Sequence, residues 1–524
     1  MFSEHQTYII TSTMSSIVKS VSIIVVFTII FKILGFCREF FLSYFWGTSG
    51  VSDAFLISQT IPGTLFQFVG VGLTTCFIPV YYLIEKKEGL AQANVFTNKL
   101  TTIILFFSTI LITAVWIDTP LFVKIFASGF SDQTLSLACD FTRIGILSLY
   151  FSTFAFVYES YLQAHRRFVP GAASSVLQSI LVLIALYLGA VYNIWILPVG
   201  CAMAIGVRVL VMTPSVKKTG LKYRPNFRWK DEHVSYFFKL LLPVVIGVAV
   251  NDLNVIFDRT IASQVTIGAI SALTYASSLV QLVNGGLVQP VSTVYYPYIT
   301  NYISSGNIEN ASLMLKKALS VLLSLLLPIT ALFMIYSKQI VMLLFGRGAF
   351  DDRSVSMTSG ALVFYVVGLS FIGIQDLLSK YYYASGNTKS PMYYAAIGVV
   401  FNISLNIVLS KIMGVSGLAL ATSSASFIIS VLLMYNVKKN LQLNIRDIVD
   451  YKEVRKIIIA SVIMALLSYM ISVSVTYFGH LICLLICAPL SILMYVGLAY
   501  LFKMEIISAG REVLKRMCNG VVGR

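Results

Sequence analysis

Residues 98–117 read NKLTTIILFFSTILITAVWI, twenty residues with a single charge, Lys99, at one edge. At 1.5 Å per residue, a helix of this length matches the roughly 30 Å hydrocarbon core of a bilayer. Lipid offers no hydrogen bonds to the backbone, so a run this apolar satisfies its own amides as an α-helix. Comparable stretches recur on both sides of it. They lie at 17–45, 52–83, 134–163, 168–189, 192–212, 236–257, 267–302, 313–336, 355–384, 389–410, 415–436, 456–474 and 479–502. With 98–117 they make fourteen expected spans of an all-α polytopic membrane protein. Composition agrees: 57% of the 524 residues are apolar and 11% charged, against about 25% charged in soluble domains. The mean hydropathy is +0.85.

Lys plus Arg is 38 and Asp plus Glu 22, for a net charge of +16. In a soluble chain that excess would point to nucleic acid. Here the cations crowd into alternate loops: Lys86 and Lys87, Arg166 and Arg167, Lys217 to Lys230, Lys438 to Lys456, and Lys503 to Arg516. This is the positive-inside pattern. It places both termini in the cytoplasm, demands an even number of spans, and makes membrane lipids rather than nucleic acid the expected partner. The N-terminal apolar stretch has no A-x-A-like cleavage site.

Landmarks recur with an offset of 218 to 221 residues. Arg38 and Gly47 match Arg259 and Gly268, and Ala54 and Pro79 match Ala272 and Pro297. Six spans therefore repeat as a second six, in parallel orientation. The expected division is an N-lobe (1–216), a basic interfacial linker (217–235), a C-lobe (236–440), and a last helix pair with a cytoplasmic tail (441–524). Gly35, Gly47, Pro62 and Gly70 are expected break points.

Charges within spans are costly and should face water or each other. The first span carries Lys32, Arg38 and Glu39; the seventh carries Asn251, Asp252, Asn254, Asp258 and Arg259. Polar stripes on the second and eighth spans include Asp53, Thr60 and Gln67, and Ser278 and Gln281. Four helices with one polar face each predict a hydrated central cavity. Lys32, Arg38 and Arg259 would hold phosphate, Arg through forked hydrogen bonds. Glu39, Asp53, Asp252 and Asp258 would balance those cations or bind a coupling cation. Asp140, Arg143, Glu159 and Asp376 are weaker candidates, with Asp140 and Arg143 three apart and expected to pair. The four His and seven Cys show no metal-ligand spacing, and there is no P-loop, GxSxG or HExxH. No metal, cofactor or catalytic residue is expected.

The run Gly35-Phe36-Cys37-Arg38-Glu39, then Phe45-Trp46-Gly47, Ser52-Asp53-Ala54-Phe55, Ile61-Pro62 and Phe77-Ile78-Pro79-Val80, resembles the opening of MurJ (MviN) proteins. So do Asp258-Arg259-Thr260, Gly268-Ala269-Ile270-Ser271, Phe345-Gly346-Arg347-Gly348-Ala349-Phe350-Asp351 and Thr388-Lys389-Ser390-Pro391. That family comprises lipid II flippases of the multidrug/oligosaccharidyl-lipid/polysaccharide exporter superfamily. The resemblance covers the twelve-span body. It implies two lobes, a cationic cavity, and an apolar groove formed with the last two helices. It also implies a polyprenyl-pyrophosphate-linked glycan as cargo. Arg38, Glu39 and Asp53 match family cavity positions. Phe66 and Gln67, and Ser278, stand where members often carry arginine.

The expected function is lipid II transport from the inner to the outer leaflet of the bacterial cytoplasmic membrane by alternating access, coupled to a cation or the membrane potential. A flippase for a capsule, exopolysaccharide or teichoic-type precursor shares every feature. A cation or drug antiporter, a membrane enzyme acting on the carrier, and a scaffold fit less of the pattern. Oligomeric state is left open, a monomer being compatible.

Overall fold

The computed structural model describes residues 27–437, 445–475 and 480–507. Residues 17–26 of the expected first span, the basic loop at 438–444 and the tail beyond 507 lie outside the described residues. All the regular structure described is helical. Ten helices are long and apolar enough to cross a membrane, or twelve if two bent pairs each count as one, among the described residues. These match twelve of the fourteen expected stretches. The other two are the first, described as helix α1 over 27–46, and the eighth. The eighth is helical from Ala269 to Ser304, but its polar stripe dilutes its apolar character.

The break points have local causes. α1 runs through Gly35 and ends at Gly47, whose φ of 54° suits glycine. Ser49 then caps α2 (Gly50–Gly72), its hydroxyl accepting the Ser52 N–H while the Ser52 hydroxyl accepts the Ser49 N–H. Pro62 is absorbed within α2. The ladder opens instead at a π-turn, Leu73–Phe77, leading into α3 (Ile78–Glu88). Pro79 near the start of α3 lacks an N–H and crowds the carbonyl four residues back; the widened turn relieves both. The eighth stretch repeats the device: α11 (Ala269–Val283), a π-turn at Asn284–Val288, then α12 (Gln289–Ser304) with Pro290 in its first turn.

α4 (Leu90–Ile117) crosses, and then α5 (Thr119–Phe126) forms in a segment expected to be loop. Asp118 caps α5 by accepting the Leu121 N–H, and Pro120 starts it. α6 (Asp132–Gly145) and α7 (Ser148–Ala164) meet at a bend of 45°. α8 (Val169–Val191) and α9 (Ile196–Lys218) follow, and α10 (Glu232–Val265) comes after the basic linker. Beyond α12 come α13 (Ile308–Ile335) and a second short helix, α14 (Ser337–Leu344). α15 (Asp352–Val367) and α16 (Leu369–Ala384) are bent by 40°, much as their counterparts in the first half. α17 (Lys389–Met413), α18 (Val415–Tyr435), α19 (Tyr451–Val475) and α20 (His480–Leu501) complete the order.

By contacts, the described residues up to Gly268 form one compact unit and those from Ala269 another. α10 heads the second copy of the repeat, yet it packs on α2, α4 and α5 of the first. The core of the first unit gathers Phe66, Leu73, Phe77, Tyr81, Phe96 and Phe237. A core of the second joins Leu332 and Tyr336 to Ile457, Met464, Cys487 and Tyr495, and so seats the last helix pair.

Candidate functional site

In the first unit, α1 presents Arg38 and Glu39 side by side. The guanidinium turns onto its neighbour, with Nη2 at 2.5 Å and Nε at 3.1 Å from the same oxygen, Oε1. The two side chains differ in access: Arg38 is 49% exposed and Glu39 4%. Glu39 Oε2 is buried and accepts no hydrogen bond from the described residues. A buried carboxylate thus holds a half-exposed guanidinium through one oxygen, leaving donors of the fork free for an incoming anion. Lys32, two turns earlier on the same helix, is exposed.

α10 brings Asp252, Asn254, Asp258 and Arg259 to half-buried positions. Asn254 Nδ2 donates to Asp258 Oδ2 at 3.3 Å, one turn apart. Asn251 lies on the same helix, with its side chain outside the described residues. Below the charged turn, α10 is pinned to the α5 region. Thr260 donates to the Ile125 carbonyl, Gln264 to the Ser128 hydroxyl at 2.8 Å, and the Gly129 N–H to the Ser263 hydroxyl at 3.0 Å.

Asp53 has a structural task. It is 1% exposed and accepts the Gly268 N–H at 2.7 Å. Gly268 has a φ of 86°, and a Cβ there would lie 2.3 Å from the Thr48 carbonyl oxygen. Asp53 therefore fastens the turn after α10 onto the turn before α2. Thr60 is half-buried and returns its hydroxyl to the Leu56 carbonyl at 2.8 Å. Gln67 is exposed, whereas Phe66 is buried and stacks on Phe156 with ring centres 6.2 Å apart. In the second unit Ser278 bonds back to the Tyr275 carbonyl at 2.7 Å, and Gln281 is exposed.

Three polar groups emerge beyond the main expected set. Glu159 forms an ion pair with Arg208 of α9, whose Nη1 also reaches Gln178 Oε1 at 3.4 Å. Arg208 stands alone in a long apolar run, and that isolation was the available signal. Asp376 pairs with Lys380 at 3.0 Å and accepts the Ser292 hydroxyl. On α17, Asn406 Nδ2 donates to Asn402 Oδ1 at 2.8 Å, and Asn402 Nδ2 lies 3.4 Å from Thr422 Oγ1; the i, i+4 amides in mid-span were the sign. Asp140 and Arg143 pair at 3.4 Å on an exposed face, as their spacing predicts.

The second unit also holds two apolar recesses beside the last helix pair. One, of about 540 Å³, is lined by Leu287, Phe333, Tyr336, Ile340, Leu484 and Ile492. The other, of about 270 Å³, lies among Pro328, Ile329, Met464, Ile492, Tyr495 and Val496. Ile492 borders both.

The family model described as lipid II flippase MurJ matches residues 42–488. A probable lipid II flippase MurJ of Thermotoga maritima is 32% identical over 400 residues, covering 75% of this chain and 79% of the relative. One of Buchnera aphidicola subsp. Baizongia pistaciae is 28% identical, covering 79% and 82%. Among solved structures, a lipid II flippase MurJ in an inward closed conformation superposes with a TM-score of 0.80 at 27% identity. It covers 91% of this chain and 98% of that one. An inward-facing MATE multidrug transporter shares the fold at 14% identity, with a TM-score of 0.65 and coverage of 79% and 95%.

Proposed function

The chain belongs to the lipid II flippase MurJ family, and from that premise we propose that it moves lipid II from the inner to the outer leaflet of the bacterial cytoplasmic membrane. The observation that carries this reading is the pairing of a buried Glu39 with a half-exposed Arg38. Such a guanidinium is held in place and still has donors for a pyrophosphate. Lys32 and Arg259 add positive charge on the same compact unit. The headgroup, too polar to cross hydrocarbon, binds at these cations while the long prenyl tail follows the apolar recesses beside α19 and α20. The family is one of transporters, so the work is binding and release without bond-making.

Alternating access needs a cargo with different affinity for two states. Direction comes from a coupling cation or the membrane potential, with the half-buried Asp252 and Asp258 as candidate acids. Both termini lie in the cytoplasm in this reading, following the loop charges. Another polyprenyl-linked glycan is the second reading. It is favoured by the burial of Phe66 against Phe156, which leaves that stretch of α2 without a cation.

The test is complementation of a bacterium depleted of its own flippase, scored by lipid II accessibility at the outer surface. Rescue is expected. Failure by a protein shown to be folded in the membrane would turn the assignment to another glycan.

A further inference from the structure

Between the C-terminal part of α2, α4 and α10 of the first unit lies an apolar crevice of about 210 Å³. Its walls include Phe68, Leu73, Ile104, Phe107, Phe238 and Val245. Phe107 and the neighbouring Leu242 are exposed on its rim, 37% and 63%, so its mouth is open at the surface of the unit.

The basic linker forms the edge of this crevice. It is strapped along α4: Asn98 Nδ2 donates to the Lys222 carbonyl at 3.1 Å, and the Asn226 N–H donates to Thr102 Oγ1 at 3.1 Å. Phe227 packs on Phe106 at 5.2 Å between ring centres. Trp229 packs on Phe107 at 5.5 Å and on Phe238 at 5.2 Å, two of the aromatic walls of the crevice. The strap therefore ends at the mouth. Lys99 is engaged by Asp231, which also caps α10 by accepting the His233 and Val234 N–H groups. Burial alone would raise the Asp231 carboxyl, but the Lys99 hydrogen bond and the Val234 N–H outweigh it and hold it below its ordinary value. Arg224, Arg228 and Lys230 are exposed and form no ion pair with a described residue. The two cations flanking Trp229 thus stand beside an apolar slot whose rim is aromatic.

We propose that this crevice is a binding site for one anionic glycerophospholipid of the surrounding bilayer, with an acyl chain between α4 and α10 and its phosphate under Arg224, Arg228 and Lys230. Charge complementarity selects the headgroup, and the aromatic rim suits the interface where headgroup meets chain. A seated chain touches Phe68, five residues before the π-turn, and Val245 on α10, so the lipid lies against α2 and α10 beside the break in the second span. The proposal needs only that the chain lies in a bilayer; the cargo does not enter it.

The test uses the purified full chain in detergent, titrated with phosphatidylglycerol or phosphatidylcholine and read by native mass spectrometry. Each cation near a membrane surface is worth roughly a factor of five. The combined variant Arg224→Gln, Arg228→Gln, Lys230→Gln should therefore weaken phosphatidylglycerol retention about a hundredfold and bring it to the phosphatidylcholine level. These residues are exposed, so the variant should fold. Val245→Trp fills the slot with the cations intact and should also lose the lipid. Equal retention of both lipids by the parent protein would overturn the proposal. So would retention by the triple variant, or retention by a folded Val245→Trp protein, which would reduce the attraction to a diffuse surface effect. Displacement of phosphatidylglycerol by lipid II would overturn it too, by assigning the crevice to the cargo.

Discussion

The two compact units differ in chemistry, and their boundary is not that of the sequence repeat, since α10 of the second copy belongs to the first unit. The first holds the membrane-embedded cations and acids: Lys32, Arg38, Glu39, Glu159, Arg208, Asp258 and Arg259. The second answers with serines and amides at the matching stripe, keeps Asp376 and Lys380 paired with each other, and devotes its volume to apolar recesses beside α19 and α20. The first unit thus concentrates charge, in part by taking α10 from the second copy of the repeat, while the second unit concentrates apolar volume beside its extra helix pair.

The hardest test of this division is Arg38→Ala. Losing charge-assisted hydrogen bonds to a phosphate should lower lipid II transport on the order of 100-fold with membrane levels unchanged; normal transport by a well-expressed variant would end the pyrophosphate role. Arg208→Ala should act on folding instead. It strands Glu159, a quarter exposed, without its partner. The expected cost is about 2 kcal/mol, discounted from a fully buried pair, and is read as the unfolding midpoint in detergent. Ile492→Trp should crowd both recesses and slow flipping of a full-length prenyl lipid about tenfold (roughly 1.4 kcal/mol). A short-chain analogue should be spared, and equal slowing of both would break the division. The smallest effect is expected at Asp351, which caps α15 outside the membrane. The Ser354 hydroxyl and then the Ser354 N–H donate to its carboxylate and hold it below its usual range. Its contribution is therefore present above about pH 4 and lost as pH falls through the depressed folded value. Asp351→Asn should remove that acid-side slope from a stability-versus-pH curve.

The helical membrane fold was legible because apolar run length decides it, and a run such as 98–117 has one solution in lipid. The bends in α6–α7 and α15–α16 are not written in composition. Nor were α5 and α14 visible, since eight-residue amphipathic helices fall below any span-length signal. Arg38 and Glu39 were legible as a pair, because charge inside a span demands a reason. Which of the two would be buried was not, since adjacent residues leave different faces and packing chooses. Asp53 read as a cavity acid from its place on a polar stripe, whereas its partner is an amide 215 residues away. Contacts made across such distances leave no periodic trace.

The two π-turns bear on the history of the molecule. Pro79 and Pro297 are equivalent in the repeat, yet only Pro79 follows a widened turn directly; Pro297 lies within α12. The second π-turn precedes Pro290, whose equivalent in the first copy is Gly72. In the frame of the repeat, its first residue, Asn284, corresponds to Phe66 rather than Leu73. That is a shift of seven residues, about 10 Å along a helix. Duplication copied the helix, and each copy then settled its own weak point. The repeat therefore survives in the sequence landmarks, while the widened turn sits at a different place in each copy.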